Sequence, residues 1–150
     1  MTKIQEITTS QGKEHENLLV LLKRTQSELG CLPEEFIAEV AQSLNIPVSE
    51  VYGVATFYSF LSTKPLGRNV IRICKSLPCY LKNSQMIIKS VEDEIGIKPG
   101  ETTPDGKFSF ELTNCIGACD KAPAMLINKD VHVSLTPRTI SQILKTYKNR

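Results

Sequence analysis

Leu18, Leu19, Leu21, Leu22, Thr25 and Leu29 recur at helical spacing before Gly30, and this spacing predicts a helix with a glycine stop. Pro33 suits a first helical position, and Glu34 and Glu35 bring the negative charge that a first turn favours. They open a second predicted helix through Phe36, Ile37, Val40, Ala41 and Leu44, closed by Asn45 and Pro47. Ser49 can cap a third, in which Val51, Val54, Ala55, Tyr58 and Leu61 share one face. Pro65-Leu66-Gly67 then makes a turn, and beyond it the period of the pattern changes.

From Asn69 the chain reads as strands and helices. Val70 to Ile73 is a short β-rich run ending at Cys74, and Phe108 to Leu112 alternates as a strand does and ends just before Cys115. Between them, Leu81 to Ile95 reads as a helix with Met86, Ile87, Val91 and Ile95 inward and Gly96 after it. Ala124 to Ile127 and Val131 to Leu135 flank Asn128-Lys129-Asp130 as the arms of a hairpin. Thr136 and Pro137 start a last helix through Ile140, Ile143, Leu144 and Tyr147. There is no internal repeat and no low-complexity linker. The pattern predicts an α+β chain, a helical section followed by a mixed section of strands and helices.

Composition changes this picture little. Of 150 residues, 41% are hydrophobic and 23% charged, a balance that can bury a core without staples. Eighteen basic against sixteen acidic residues leave a net charge of +2 without a strong block, which argues against nucleic acid as the main partner. The opening M-T-K-I-Q-E-I-T-T-S-Q-G has neither the apolar core and cleavage site of a signal peptide nor the character of an Arg-rich transit helix. The most apolar run, Leu18 to Leu22, is too short to cross a bilayer. The expectation is a cytoplasmic protein without direct membrane insertion. In that reducing compartment, paired cysteines read as metal ligands or redox groups before they read as disulfides.

Four of the five cysteines are paired: Cys74 and Cys79 in C-K-S-L-P-C, Cys115 and Cys119 in C-I-G-A-C. Each pair follows a predicted strand. If the two strands lie side by side and run the same way, both loops leave one sheet edge and the pairs face each other; the 35 residues between Cys79 and Cys115 are enough for the crossover this needs. Four thiolates from two loops suit a tetrahedral zinc ion or a two-iron cluster. The gaps of four and three residues miss the tight zinc knuckle without excluding zinc, and they are not the C-x-x-C of a thioredoxin-type redox pair. Spacing therefore favours iron–sulfur and leaves zinc, or structural and redox thiols, open.

The combination of C-x4-C with C-I-G-A-C-D-K-A-P-A-M, from Cys115 to Met125, resembles the thioredoxin-like [2Fe-2S] ferredoxin family. The flavin-partner (E-type) component of NADH:quinone oxidoreductases and the small subunit of NAD(P)-linked iron-only hydrogenases belong to it. The likeness extends to Gly30, Leu32-Pro33-Glu34, Ile46-Pro47, Val54-Ala55-Thr56-Phe57-Tyr58, Pro65-Leu66-Gly67 and Leu135-Thr136-Pro137. It implies an N-terminal helical bundle segment, residues 1–65, followed by a thioredoxin-like α/β [2Fe-2S] domain, residues 66–150. It further implies one [2Fe-2S] cluster on Cys74, Cys79, Cys115 and Cys119, with FMN and NAD(H) on a partner flavoprotein subunit only, inside a larger complex with further iron–sulfur subunits. The chain departs from the family pattern at Lys82-Asn83, where a glycine is common, and at Cys31, where a large aromatic is common.

The remaining chemistry-bearing residues read as structural. Cys31 lies between a helix-ending glycine and a helix-starting proline and reads as a small apolar side chain. His15 and His132 have no partner at metal-ligand spacing and read as surface histidines, His132 pointing out of its strand. Phe57, Tyr58 and Phe60 read as helix core with partner contact, so the helical section is expected to dock on the flavin subunit. No G-x-G-x-x-G follows a strand and no Ser/His/Asp set is present, so the chain is expected to carry an electron without a catalytic group of its own.

Overall fold

The computed structural model describes residues 18–148. The chain divides into two compact units, one ending at Pro65 and one beginning at Leu66. His15 and Arg150 lie outside the described residues.

In the first unit, α1 (Leu18–Leu29), α2 (Glu34–Leu44) and α3 (Val48–Phe57) enclose a core of Leu18, Leu21, Leu22, Leu32, Phe36, Ile37, Val40, Ala41, Val51 and Ala55. The glycine stop is real: Gly30, at φ +83°, gives its N–H to the Gln26 carbonyl at 2.8 Å. Asn45 closes α2 in the left-handed region, its N–H reaching the carbonyls of Ala41 and Gln42. Pro47 rather than Ser49 stands at the N-cap of α3, because proline's fixed φ already prepares the first turn, and Ser49 lies inside that turn. The helix then stops at Phe57 and Tyr58 is extended, so the predicted continuation to Leu61 is not helical. Phe57, Tyr58 and Phe60 are consequently all exposed, Phe57 by 81%, and none joins the core expected of them. The Gln26 amide secures this segment: it donates to the Phe60 carbonyl, and its oxygen accepts the Ser62 N–H at 2.6 Å.

In the second unit the elements run β1 (Asn69–Cys74), α4 (Leu77–Leu81), α5 (Ser84–Ile95), β2 (Phe108–Thr113), β3 (Met125–Ile127), β4 (Asp130–His132) and α6 (Pro137–Lys148). The sheet order is β2-β1-β3-β4, with β1 parallel to β2 and antiparallel to β3. Ile71, Ile73, Phe108, Phe110, Met125 and Ile127 pack with Ile87, Ile88 and Val91 of α5 and Ile140, Leu144 and Tyr147 of α6. The hairpin turns on two residues, with Ile127 paired to Asp130. Asn128, at φ +56°, takes the Val70 N–H on its Oδ1 at 2.9 Å and so ties the turn to the start of β1.

The helix expected from Leu81 is instead two. Asn83 adopts φ +62°, which ends α4 and lets α5 begin at Ser84; asparagine here does what a glycine would do. Within α5, Met86 faces solvent rather than inward, and Ile88 is buried in its place. His132 also departs from expectation, since it is half-buried against the Tyr147 ring, with Nε2 3.3 Å from the hydroxyl. Tyr147 in turn donates to Asp130 at 2.6 Å, which fastens the hairpin to α6. At the other end Lys148 reaches the Glu94 carbonyl and carboxylate at 3.0 and 3.1 Å, latching α6 to the end of α5.

Two outcomes follow from these contacts. A methyl at Gly67 would sit 2.9 to 3.1 Å from backbone atoms of Gly106 and Phe108, none of which is a flexible side-chain end. Gly67→Ala should therefore destabilise the second unit by about 1–3 kcal/mol in denaturant unfolding, while Gly53→Ala, with open space around it, should not. For His132, burial lowers the pKa below 6.5 and nearby Asp130 only partly opposes this. The unfolded chain then binds more protons at mildly acid pH, so stability rises with pH there. The stabilisation is complete above about pH 6.5 and is lost as pH falls through the lower folded-state value. Unfolding midpoints measured across that range should slope less in His132→Gln than in the parent.

Candidate iron–sulfur site

The strand register builds the site. Cys74 pairs with Thr113 at the ends of two parallel neighbours, so the chain leaves β1 and β2 at the same edge of the sheet. Lys75 donates its N–H to the Thr113 carbonyl at 2.9 Å and extends the pairing one residue beyond the strand. From there Ser76 leads into α4, where Pro78 stands in the first turn and Cys79 faces inward. Cys74 and Cys79 are each only 1% exposed.

The second loop is open. Cys115 and Cys119 are exposed, with their sulfurs 3.3 Å apart, and a short 3-10 turn spans Cys119–Lys121. Gly117 adopts φ +84° and sends its N–H to the Cys115 sulfur at 3.4 Å. A side chain at this position would be strained, and this is the chemical reason for glycine within C-I-G-A-C. The segment after the hairpin anchors the loop from behind: Ser134 donates to the Lys121 carbonyl at 2.8 Å and Leu135 to the Pro123 carbonyl at 3.2 Å.

The thiols are electrostatically unequal. Burial opposes ionisation of Cys74, but the backbone N–H groups of Ser76 and Ile116, the Ser76 hydroxyl and the Cys79 thiol all serve its sulfur and hold its pKa below the ordinary thiol value. Burial, and then the hydrogen bond and charge shared with Cys74, push the Cys79 thiol up despite a bond involving the Ala124 backbone. The contact with Cys115 pushes Cys119 up, with smaller contributions from its own desolvation and from the charges of Cys115, Cys74 and Asp120. Charge on Cys119 also raises Cys79, so the two loops share one electrostatic neighbourhood.

The sulfurs are thus paired within each loop. Among the described residues, no group of three or more His, Cys, Asp or Glu side chains is gathered as the ligands of one metal ion. Two pairs of thiols at one edge, with backbone N–H groups already aimed at sulfur, are a donor set that fits a cluster of two irons. Cys31 is half-buried in the first unit, and His132 is engaged with Tyr147. Sequence reasoning singled out the four cysteines but did not name the N–H groups of Ser76 and Ile116, which no side-chain pattern could signal. It also missed α4 and an ion pair two residues before Cys74 on β1, in which Arg72 Nε lies 2.9 Å from Glu111 Oε2.

The chain is similar to proteins of known class. The E-type component of NADH-quinone oxidoreductase from Escherichia coli (strain K12) is 46% identical over 127 residues, covering 85% of this chain and 76% of the relative. The component of the same name from Aquifex aeolicus (strain VF5) is 34% identical over 146 residues, covering 97% and 91%. Among solved structures, an NAD+-reducing [NiFe]-hydrogenase in the air-oxidized state superposes with a TM-score of 0.74 at 25% identity. The superposition covers 89% of this chain and 23% of that one, so the likeness is to a minor part of the hydrogenase chain, and that enzyme is a [NiFe] rather than an iron-only hydrogenase. The profile of the thioredoxin-like [2Fe-2S] ferredoxin matches residues 4–148, and the chain belongs to that family.

Proposed function

We propose that this chain holds one [2Fe-2S] cluster on Cys74, Cys79, Cys115 and Cys119 and carries single electrons as a subunit of an NADH-linked oxidoreductase, beside a subunit that binds FMN and NAD(H). The observation that carries the reading is the parallel register that brings two cysteine pairs to one edge. The relatives from NADH-quinone oxidoreductases support the assembly. When bound, such a cluster accepts and returns one electron at a time.

The protein's own residues provide the cradle. Cys74 and Cys79 hold the inner side within the apolar interior, and Cys115 and Cys119 hold the outer side at the surface. N–H groups of Ser76, Ile116 and Gly117 stabilise negative sulfur, and partial burial keeps water from part of the site. The outer pair lies where a redox partner can approach. In the first unit, the exposed Phe57, Tyr58 and Phe60 supply an apolar surface suited to a protein neighbour, and we assign docking on the flavin subunit to it.

Purified full-length protein should be red-brown and bleach with dithionite; colourless protein containing zinc would overturn the assignment. Cys115→Ser should lose the two-iron spectrum or hold it only weakly, whereas Cys31→Ser should leave it unchanged. An undisturbed spectrum in Cys115→Ser would falsify the ligand set.

A further outcome concerns the complex. The isolated protein should take up one electron per cluster from dithionite yet oxidise no NADH until the flavin subunit is added. Replacing both Phe57 and Phe60 by Asp should weaken capture of that subunit at least tenfold and leave the spectrum unchanged, as expected for loss of central apolar anchors. Equal capture by parent and variant would exclude the aromatic segment as the anchor.

A further inference from the structure

Among the described residues of the second unit, Asn69, Arg72, Ser84, Ser109 and Thr113 are buried polar residues, and of these Arg72 alone is charged. Along β1, Val70, Ile71 and Ile73 are buried hydrophobic residues, yet Arg72 is buried among them with 7% exposure. Its register partner on β2 is Glu111, and Arg72 Nε lies 2.9 Å from Glu111 Oε2 with side-chain exposures of 8% and 24%. The N–H is not directed at that oxygen, so the contact is an ion pair rather than a hydrogen bond. A pair of apolar side chains often joins two strands at least as well, because taking charges out of water is costly. What distinguishes the place is its position. Arg72 and Cys74 are two residues apart on one strand, hence on one face and about 7 Å apart along it. Glu111 stands in the same relation to Thr113, the register partner of Cys74.

We propose that Arg72 and Glu111 are a charge pair that sets the reduction potential at the thiolate cradle: Arg72 favours the added electron, Glu111 disfavours it, and their near-cancellation holds the potential between the two extremes. The inference rests on the reading of the four cysteines as cluster ligands. Uptake of one electron adds one negative charge at those sulfurs and makes or breaks no bond. Lys75, Asp120 and Lys121 are exposed and act through water and salt, whereas buried Arg72 and partly exposed Glu111 act more through protein, where a charge is felt more strongly. Arg72 and Glu111 are positioning residues here, not ligands.

The test is a spectroelectrochemical titration of full-length protein at about pH 8, well above the ordinary carboxylate range. Glu111→Gln removes the negative member of the pair and should favour reduction by about tenfold, a rise of about 59 mV for one electron. Arg72→Met leaves the Glu111 carboxylate and should lower the potential by a similar factor. The double variant should return close to the parent. A pair that only clamps two strands would move the single variants in the same direction or not at all, and either result overturns the inference. If Arg72→Met fails to accumulate, Glu111→Gln decides alone, since it is near-isosteric at a partly exposed position, and an unchanged or lowered potential refutes the pair. A parent without a two-iron spectrum would instead defeat the ligand reading, so the two failures are distinguishable.

Discussion

The parallel pairing of β1 with β2, in the register that sets Cys74 opposite Thr113, is the constraint from which the site follows. Side chains alternate along a strand, so a slip of one residue would turn Arg72 and Cys74 onto the core face and Ile71 and Ile73 away from it. The register is therefore held by the same residues that make the core, chiefly Ile71, Ile73, Phe108 and Phe110. Gly67 and Asn128 secure the beginning of β1, the former through its bond to Ser109 and the latter through its bond to Val70. The geometry of the cysteines is thus set from the opposite end of the strand.

Much of this was legible in the chain because the relevant signals are local. A β-rich run and an alternating run, each ending close to a cysteine, located the two strands, and the span between the pairs allowed a parallel crossover. Gly30 and Asn45 marked helix ends by backbone chemistry that works in any fold. The errors fall where two local rules compete or where burial decides. Pro47 and Ser49 both signal a helix start, and the proline prevailed by fixing φ one residue before Val48. Leu77, Tyr80 and Leu81 are exposed around a buried Cys79, so the short helix α4 shows no apolar face from which it could have been recognised.

His132 and Arg72 illustrate the other limit. A histidine between two valines reads as outward-pointing, and its engagement depends on Tyr147, a residue 15 positions later on another element. Arg72 breaks a hydrophobic strand, and only the register reveals Glu111 opposite it. Long-range partners of polar residues are set by topology, and a pattern along the chain carries no trace of them. The four cysteines escaped this limit because both pairs sit directly after strand ends.

The two cysteine pairs differ sharply in burial. Cys74 and Cys79 are as buried as the isoleucines beside them, whereas Cys115 and Cys119 are exposed on a loop held from behind by bonds to Ser134 and Leu135. Segments of the second kind open at low free energy without the sheet, and segments of the first kind open only with it. Exchange of protons, attack by thiol reagents and access of chelators are then governed at the outer pair by local loop opening and at the inner pair by global unfolding. Mutations that stabilise the core will protect the inner pair for longer and leave the outer pair as accessible as before.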